Sequence, residues 1–215
     1  MIRIEHTETL GWETAIRGMR NPMNSWDKGD SYYTYVSDTE THITVPYAHF
    51  VGKNDHDLMM RLAKGGSVHA KYRRMIVVTC DITAPLYWWK EFDTYKVGTV
   101  ANSCSTMHKI HSKPFVMDDF SHEHLCDDSD VLLYDIVGML NKLRMYFLAS
   151  NDMSYWHQMI QLLPSSYNQK RTIMMNYEVL VGIYRDRRNH KLDEWHTLCD
   201  WIEDLPYSEI ITGEV

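Results

Sequence analysis

A run of small polar residues near the middle of the chain carries the side chains best suited to chemistry. The run reads Asn102, Ser103, Cys104, Ser105 and Thr106 without interruption. Such a run predicts a polar loop that offers hydroxyls, a thiol and backbone N–H groups to a bound ligand. A surface loop with no chemistry fits the same residues, so the run alone does not choose between the two.

Cys104 is the side chain in this run that can act as a nucleophile. A thiol that ionises beside cations can attack an electrophilic carbon atom. The sequence places no base at a recognisable spacing from Cys104, and an isolated cysteine also serves as a small buried apolar side chain. Both roles therefore stay open for Cys104.

A second candidate for chemistry is a segment rich in histidine and aspartate that follows the polar run. The His-x-His spacing of His122 and His124 puts two imidazoles on one side of an extended segment, which suits zinc or iron. No third ligand has a fixed spacing, and a solvated loop fits this composition equally well. The segment keeps a metal-dependent hydrolase open as an alternative, although we expect no metal site. Its candidate ligands are His108, His111, Asp118, Asp119, His122, His124 and Cys126.

Length, charge and cysteine content limit the possible functions. The chain has 215 residues, a formal net charge of −7 and four scattered cysteines. This length predicts a single domain over residues 1–215. The acidic balance argues against a general binder of nucleic acid or membrane surfaces, and no stretch of about 18 apolar residues is present. Because scattered cysteines are typical of a reducing compartment, we expect a soluble cytoplasmic protein that binds neither nucleic acid nor membrane.

Apolar patterning predicts strands and helices on both sides of the polar run. We expect an α/β fold of the α+β type, in which helices flank a central, mostly antiparallel sheet and the long helices lie in the C-terminal half. Helix N-caps are expected at 54–55 and at 128–129. The predicted strands lie at 2–4, 42–47, 73–82 and 171–176. The predicted helices lie at 13–19, 54–64, 85–95, 128–147, 153–163, 177–184 and 192–202.

In order and spacing, these elements resemble the flavin-dependent thymidylate synthases from about residue 51 to residue 210. That family has Arg-His-Arg, seven variable residues and then Ser, at the end of a helix that follows a strand. Here the helix ends in Thr94, Tyr95 and Lys96, and seven residues later Cys104 is followed by Ser105. Further residues in the family's order are Leu163, Pro164, Asn176, Arg187, His190 and Glu194.

The resemblance implies a flavoprotein of nucleotide biosynthesis. It would be a methyltransferase that converts dUMP into dTMP, with methylene-tetrahydrofolate as carbon donor, FAD as cofactor and NADPH as reductant. It would form a homotetramer with its active site in a cleft between subunits. The resemblance assigns Cys104 and Ser105 to catalysis, Glu91, Asn102, Ser103 and Arg187 to substrate binding, and Thr94, Tyr95, Lys96, Asn176 and His190 to cofactor binding.

The chain departs from the family at its phosphate-binding cations. Thr94 and Tyr95 replace an Arg and a His, and Lys96 keeps a charge but not the bidentate fork of a guanidinium. Cys104 stands in the place of the family's Ser, unless one inserted residue gives that place to Ser105. Most of the family's arginines are absent at their expected positions, and Arg187 is the clearest that remains.

These departures bear on activity. We expect weak flavin binding and slow or absent dTMP formation unless other cations, such as Lys109 or Arg171, fill the gap. A non-catalytic nucleotide-binding homologue is therefore a third alternative. Asn176 could equally serve as a helix cap, and Arg187 as a solvated charge near a helix end.

Overall fold

The computed structural model describes residues 2–37 and 44–213, with the backbone alone for 35–37 and 44–48. Strands and short helices alternate in the first half, and the long helices lie in the second half. The strands are β1 (Arg3–Leu10), β2 (Tyr32–Ser37), β3 (Thr44–Phe50), β4 (Val77–Pro85), β5 (Val100–Ser103) and β6 (Asn168–Asn176). The helices are α1 (Trp12–Arg20), α2 (Lys53–Lys64), α3 (Leu86–Phe92), α4 (Thr106–Lys109), α5 (Asp127–Ser150), α6 (Met153–Leu162), α7 (Tyr177–Arg187), α8 (Asp193–Glu203) and α9 (Glu209–Thr212).

Four antiparallel strands form the central sheet in the order β1-β4-β6-β5. In the central strand β4, alternate residues such as Val78, Cys80 and Ile82 are buried, whereas the residues between them are partly exposed. This alternation means that helices cover one face of the sheet while the other face stays partly open. The antiparallel sheet flanked by helices confirms the predicted fold class.

The covered face of the sheet packs against a core rich in tryptophan. Trp88 and Trp89 of α3 and Trp195 of α8 are each at most 1% exposed. The ring centroid of Trp88 lies 4.9 Å from that of Trp89 and 4.8 Å from that of Trp195. Because large aromatic side chains contribute much of a core's packing energy, these contacts fix α3 and α8 against each other.

A second apolar cluster lies beneath α5 and α6 and holds the segment 110–120 in place. Phe115 and Phe120 of this segment are buried in the same cluster as Leu140 of α5. The side-chain amide of Asn141 accepts from the N–H of Phe115 at 2.8 Å and donates to the Phe115 carbonyl at 2.8 Å. This reciprocal pair ties the irregular segment to α5.

At 24 residues, α5 is long enough to reach across a small domain, and three aspartates occupy its first turn. Its apolar side chains are interrupted by charged residues such as Asp135, Lys142 and Arg144. Over residues 2–37 and 44–213, no helix combines the length and apolar character that crossing a membrane requires.

The polar run predicted to be a loop is in part a strand. Residues 100–103 form β5, in which Asn102 pairs with Thr172 and Ser103 pairs with Arg171 of β6. All four residues of β5 are exposed, because the strand lies at the edge of the sheet. An edge strand exposed on both faces lacks the apolar alternation by which strands are recognised in a sequence.

The N-cap predicted at 54–55 is wrong, because Gly52 precedes the first residue of α2. The carboxylate of Asp55 is buried and lies 2.6 Å from the Arg20 guanidinium and 2.6 Å from the Ser31 hydroxyl. Burial alone would raise the pKa of Asp55, but the hydrogen bonds from Ser31, Arg20 and the Asp30 backbone lower it below its ordinary value. Asp55 therefore joins α1 to α2.

Further boundaries differ from the sequence prediction. The strand predicted at 73–82 is observed as β4 from Val77 to Pro85, because residues 71–75 form a 3-10 helix, and the helix predicted at 85–95 is observed as α3 from Leu86 to Phe92. The N-cap of α5 is Cys126 and not a residue at 128–129, so the helix begins about two to three residues earlier than its acidic residues suggested. The strand predicted at 42–47 is observed from Thr44 onward as β3, and residues 42 and 43 lie outside the described residues.

Candidate functional site

The antiparallel register brings three polar side chains into one row near an end of the sheet. Arg3 of β1 lies opposite Thr83 of β4, and Thr83 lies opposite Lys170 of β6. Side chains of directly opposed residues point to the same face of a sheet. The row therefore places a hydroxyl between two cations close to the end of β5.

Cys104 is held against β6 just beyond the end of β5. Its N–H donates to the carbonyl of Lys170 at 2.9 Å, and its carbonyl accepts from the Gln169 side-chain amide at 2.8 Å. Its thiol is exposed. Ser105 comes next and caps α4, since its hydroxyl accepts from the N–H of His108 at 3.0 Å. The two residues predicted to be catalytic are thus fixed by backbone contacts beside the polar row.

These residues line a cavity of about 630 Å³, which we name the Cys104 cavity. Its walls are the row on the sheet, the residues 104–106 and the segment 109–119. The volume lies within the range of about 300–1,000 Å³ that is usual for small-molecule sites. The charged residues of the lining are Arg3, Lys109, Lys113, Asp118, Asp119 and Lys170.

The two cations on the sheet are each paired with a carboxylate, Arg3 within its own strand and Lys170 across to β4. The Nε atom of Arg3 lies 3.1 Å from Glu5, and the Nζ atom of Lys170 lies 2.9 Å from Asp81. The hydrogen bond to Asp81 raises the pKa of Lys170, so this ammonium stays charged. Both cations contribute to the field in the cavity, but each already has an anionic partner.

The cations on the opposite wall differ from each other. The Nζ atom of Lys113 lies 2.6 Å from Asp119. Lys109, by contrast, has neither an ion pair nor a side-chain hydrogen bond with any residue that the structure describes. Asp118 likewise has no cationic partner among the described residues. The cavity thus holds one unmatched cation and one unmatched carboxylate.

Two uncharged polar groups of the cavity lining are available to a ligand. The hydroxyl of Thr83 is buried and has no hydrogen-bond partner within the described ranges, which is costly for a polar atom. Burial, together with the nearby charges of Asp119 and Cys104, raises the pKa of the Tyr167 phenol. Tyr167 is therefore protonated at neutral pH and can donate a hydrogen bond.

Four residues that the resemblance assigns to the site come together at a second place, on the ends of α3 and α7. We name Glu91, Tyr95, Arg187, His190 and Trp195 the Arg187 cluster. The Nη1 atom of Arg187 donates to Glu91 at 2.9 Å, and its Nε atom donates to the Tyr95 hydroxyl at 2.9 Å. The guanidinium carbon lies 4.6 Å from the ring centroid of Trp195, a cation–π distance.

One oxygen of Glu91 is the centre of this cluster. It accepts from Arg187 at 2.9 Å and from the Trp195 indole at 3.0 Å, and it lies 3.4 Å from the Nε2 atom of His190. Because the Nδ1 atom of His190 accepts from the N–H of Leu192 at 3.2 Å, the ring proton is on Nε2 and faces Glu91. Three donors therefore surround one carboxylate.

Trp195 lies in the helix predicted at 192–202, and its sequence context does not single it out as a site residue. The signal that identifies it is chemical, since a buried indole N–H needs an acceptor. The sequence of α8 does not predict which residue is that acceptor, because Glu91 is 104 residues away along the chain.

The other residues expected at the cofactor site do not join the Arg187 cluster, and Asn176 lies at the opposite end of α7 from Arg187. The hydroxyl of Thr94 donates to the Glu91 carbonyl at 2.7 Å, and Lys96 is exposed. The Oδ1 atom of Asn176 accepts from the N–H of Val179 at 3.0 Å, which confirms that Asn176 caps α7. Cofactor roles for these residues stay predictions.

The histidines of the candidate metal segment are dispersed. His111 packs edge-on against Phe147 with 4.8 Å between ring centroids, whereas His122 lies 3.2 Å from Asp130. His124 lies 3.0 Å from Asp193. Across residues 2–37 and 44–213, no three His, Cys, Asp or Glu side chains are grouped as metal ligands. The described residues therefore give no support to a metal-dependent hydrolase.

Comparison with known proteins bears on the fold. No family model and no curated protein matches the chain. It is similar to two solved structures of the flavin-dependent thymidylate synthase ThyX from Helicobacter pylori, both with FAD and dUMP. One gives a TM-score of 0.67 over 99% of each chain, and the other gives 0.71 over 99% of this chain and 98% of that chain. Because the sequence identity is only 14% in both, the likeness shows the fold alone, which this chain shares with these two structures.

Proposed function

We propose that this chain binds a pyrimidine nucleoside monophosphate, dUMP in the first instance, in the Cys104 cavity. The observation that carries the proposal is the cavity of about 630 Å³ in which the sheet, residues 104–106 and four cations meet. Phosphate is recognised by charge-assisted hydrogen bonds, and a base is recognised by neutral donors and acceptors. The cavity offers both kinds of group. The Helicobacter pylori protein of the same fold is seen with dUMP, which supports this choice of nucleotide.

The proposal accounts for the position of the two residues that were predicted to be catalytic. Cys104 and Ser105 line the cavity that would hold the nucleotide, as the family resemblance expects of them. Thr83 and Tyr167 add two hydroxyls to the lining, of which the first is buried without a partner among the described residues. A base carbonyl or a sugar hydroxyl would satisfy that group.

The reaction we propose to go with this site is the reductive methylation of dUMP to dTMP by methylene-tetrahydrofolate, with FAD as cofactor and NADPH as reductant. The support is the fold, since the Helicobacter pylori structures contain FAD as well as dUMP. A cytoplasmic location for such a reaction stays a prediction.

The side chains expected to hold FAD do not fit it within one chain. The Tyr95 hydroxyl accepts from Arg187, and the Oδ1 atom of Asn176 accepts from the N–H of Val179, so these two acceptors are already engaged within the chain. The Nδ1 atom of His190 is also engaged, by the N–H of Leu192. Glu91 adds a negative charge where a pyrophosphate would need positive charge. Weak flavin binding follows, which makes a non-catalytic nucleotide-binding protein the second candidate function.

A flavin could gain additional partners from other copies of the chain, and we propose a homotetramer. The support is α5, whose side chains of Val131, Leu132 and Tyr134 are each at least 61% exposed. Contiguous exposed apolar side chains are typical of contacts between subunits. Sedimentation at micromolar concentration should give the mass of four chains. A monomer under those conditions would remove the tetramer from the proposal.

Nucleotide binding and catalysis are tested separately. Calorimetric titration with dUMP should show saturable binding, whereas 2′-deoxyuridine, which lacks only the phosphate, should bind at least about tenfold more weakly. Equal affinity for both would contradict a phosphate site. Catalysis is measured as tritium release from C5-labelled dUMP with FAD, NADPH and methylene-tetrahydrofolate in excess. Binding without release would favour the non-catalytic candidate, and brisk release would favour the synthase.

A further inference from the structure

Arg187, the residue that the family resemblance assigns to the phosphate, has its charge matched inside the chain. Its guanidinium donates to Glu91 and Tyr95 and lies over Trp195. A phosphate placed here would meet the Glu91 carboxylate together with the guanidinium. The negative charge of Glu91 would repel that phosphate and so offset much of the attraction of the guanidinium. The Arg187 cluster is therefore a poor site for an anion.

Unlike Arg187, Lys109 has a positive charge that no carboxylate among the described residues pairs with. It lines the Cys104 cavity, and it alone of the four cations in the lining has no anionic partner among residues 2–37 and 44–213. An ammonium without a partner can give all three of its donors to a phosphate. Its charge is also not offset by an adjacent carboxylate before a ligand arrives.

The backbone of Lys109 is held on both sides, although its side chain is exposed. Ser105 caps the start of α4, and Ile110 is only 4% exposed in the second apolar cluster. The Met107 carbonyl accepts from the indole of Trp156 at 3.1 Å. These contacts fix the position from which the side chain of Lys109 reaches into the cavity.

Asp118 acts in the opposite sense. Its carboxylate lines the same cavity without a cationic partner in the described part of the chain, so it repels a phosphate that comes close. Its presence favours a ligand with a single phosphate group over a di- or triphosphate, since repulsion grows with the ligand's charge.

We propose that Lys109 is the residue that binds the phosphate of the nucleotide, in the place that the family resemblance gives to Arg187. This inference rests on the proposed function, because it concerns the same cavity. It assigns the phosphate to one residue, predicts a preference for nucleoside monophosphates and explains how the site tolerates the missing arginines.

The test compares two lysines of the same cavity. Calorimetric titration with dUMP is made on the natural protein, on Lys109→Ala and on Lys113→Ala. Each variant removes one charge from the lining, but Lys113 is already paired with Asp119. Lys109→Ala should weaken dUMP binding by about tenfold or more, because a charge-assisted contact is lost. Lys113→Ala should weaken it only about two- to threefold, through the field alone.

2′-Deoxyuridine provides the second comparison. Because this nucleoside has no phosphate, the Lys109→Ala variant should bind it as the natural protein does. If the natural protein and the Lys109→Ala variant bind dUMP with equal affinity, the role of Lys109 is overturned and the proposed function still stands. Loss of 2′-deoxyuridine binding in Lys109→Ala would also overturn that role. A natural protein that does not bind dUMP would overturn both proposals.

Discussion

The Arg187 cluster and the Cys104 cavity both gather charged side chains, yet they leave different groups to a ligand. In the Arg187 cluster, Glu91 accepts from Arg187 and Trp195, so the positive charge is used within the chain. In the Cys104 cavity, Lys109 has no anionic partner among the described residues, and the buried hydroxyl of Thr83 has no hydrogen-bond partner there. A cation at the position that a family resemblance predicts is a good anion-binding residue only if no carboxylate of the same chain already pairs with it.

The packing around each place explains the difference. The Arg187 cluster lies on the tryptophan core, where Trp88 and Trp195 are fully buried and α3, α7 and α8 come together. Partly buried charges at such a place must be paired, since an unpaired charge away from water is costly. The Cys104 cavity is lined by the open end of a sheet and by an irregular segment, so Lys109 remains accessible to water when no ligand is bound.

The largest effect is expected from Arg187→Ala. This change removes an ion pair to Glu91, a hydrogen bond to Tyr95 and the contact over Trp195. The free energy of unfolding should fall by about 2–3 kcal/mol, measured by urea denaturation. The matched control is Arg185→Ala, because Arg185 is 65% exposed and, among the described residues, forms an ion pair only with its neighbour Asp186. Its effect should stay below about 0.5 kcal/mol.

Equal stability of the two arginine variants would show that the Arg187 cluster is not a structural unit. A loss of dUMP affinity in Arg187→Ala, without a loss of stability, would return the phosphate to Arg187. Either result would break the contrast between the two places.

The cysteines give the next largest effect. Cys104 and Cys126 are both exposed, but only Cys104 lines the cavity. Iodoacetamide should label both, and dUMP at ten times its Kd should slow the labelling of Cys104 about tenfold while leaving Cys126 unchanged. Mass spectrometry of the labelled peptides measures both rates in one sample. Equal protection of the two thiols, or of neither, would contradict binding in the cavity.

The pH dependence of this labelling has a predicted sign. Hydrogen bonding to Ser129 holds the pKa of the Cys126 thiol below its ordinary value. Its thiolate should therefore form, and react with iodoacetamide, at a lower pH than an ordinary cysteine thiol does. Burial raises the pKa of Cys80 to about 12 and that of Cys199 to about 11. These two thiols should stay unlabelled in the folded protein at neutral pH. Labelling of Cys80 without denaturant would show that the sheet opens.

The smallest effect is expected from Asp118→Asn. Removing the unmatched carboxylate from the cavity should tighten dUMP binding about two- to fivefold, because the phosphate loses a repulsive neighbour. Calorimetry should show no such gain with 2′-deoxyuridine. Weaker dUMP binding would mean that Asp118 contacts the ligand favourably.

The sequence predicted those parts of the fold that rest on local apolar patterns. The alternation of buried residues in β4 and the three- and four-residue spacing of Leu133, Val137 and Leu140 in α5 are both visible in the chain. The edge strand β5 was missed, because exposed residues on both faces give no alternation. An alternating apolar pattern indicates that one face of a strand is buried, and neither face of β5 is buried.

The site was less predictable, because its contacts join distant parts of the chain. Glu91 and Arg187 are 96 residues apart, and no spacing rule predicts that they pair. Lys109 and Arg171 were both expected as cations that could fill the gap left by missing arginines. Arg171 instead lies 4.1 Å over the ring of Trp89 and pairs with Asp93 at 2.8 Å. Only the folded chain shows that Lys109 is the one whose charge is unmatched among the residues described.

The most direct test of where the phosphate binds is a crystal structure of the protein with dUMP. The phosphate should lie in the Cys104 cavity with an oxygen about 3 Å from the Nζ atom of Lys109. The pair between Glu91 and Arg187 should remain as it is in the free chain. A phosphate bound by the guanidinium of Arg187, with Glu91 displaced from it, would contradict the account.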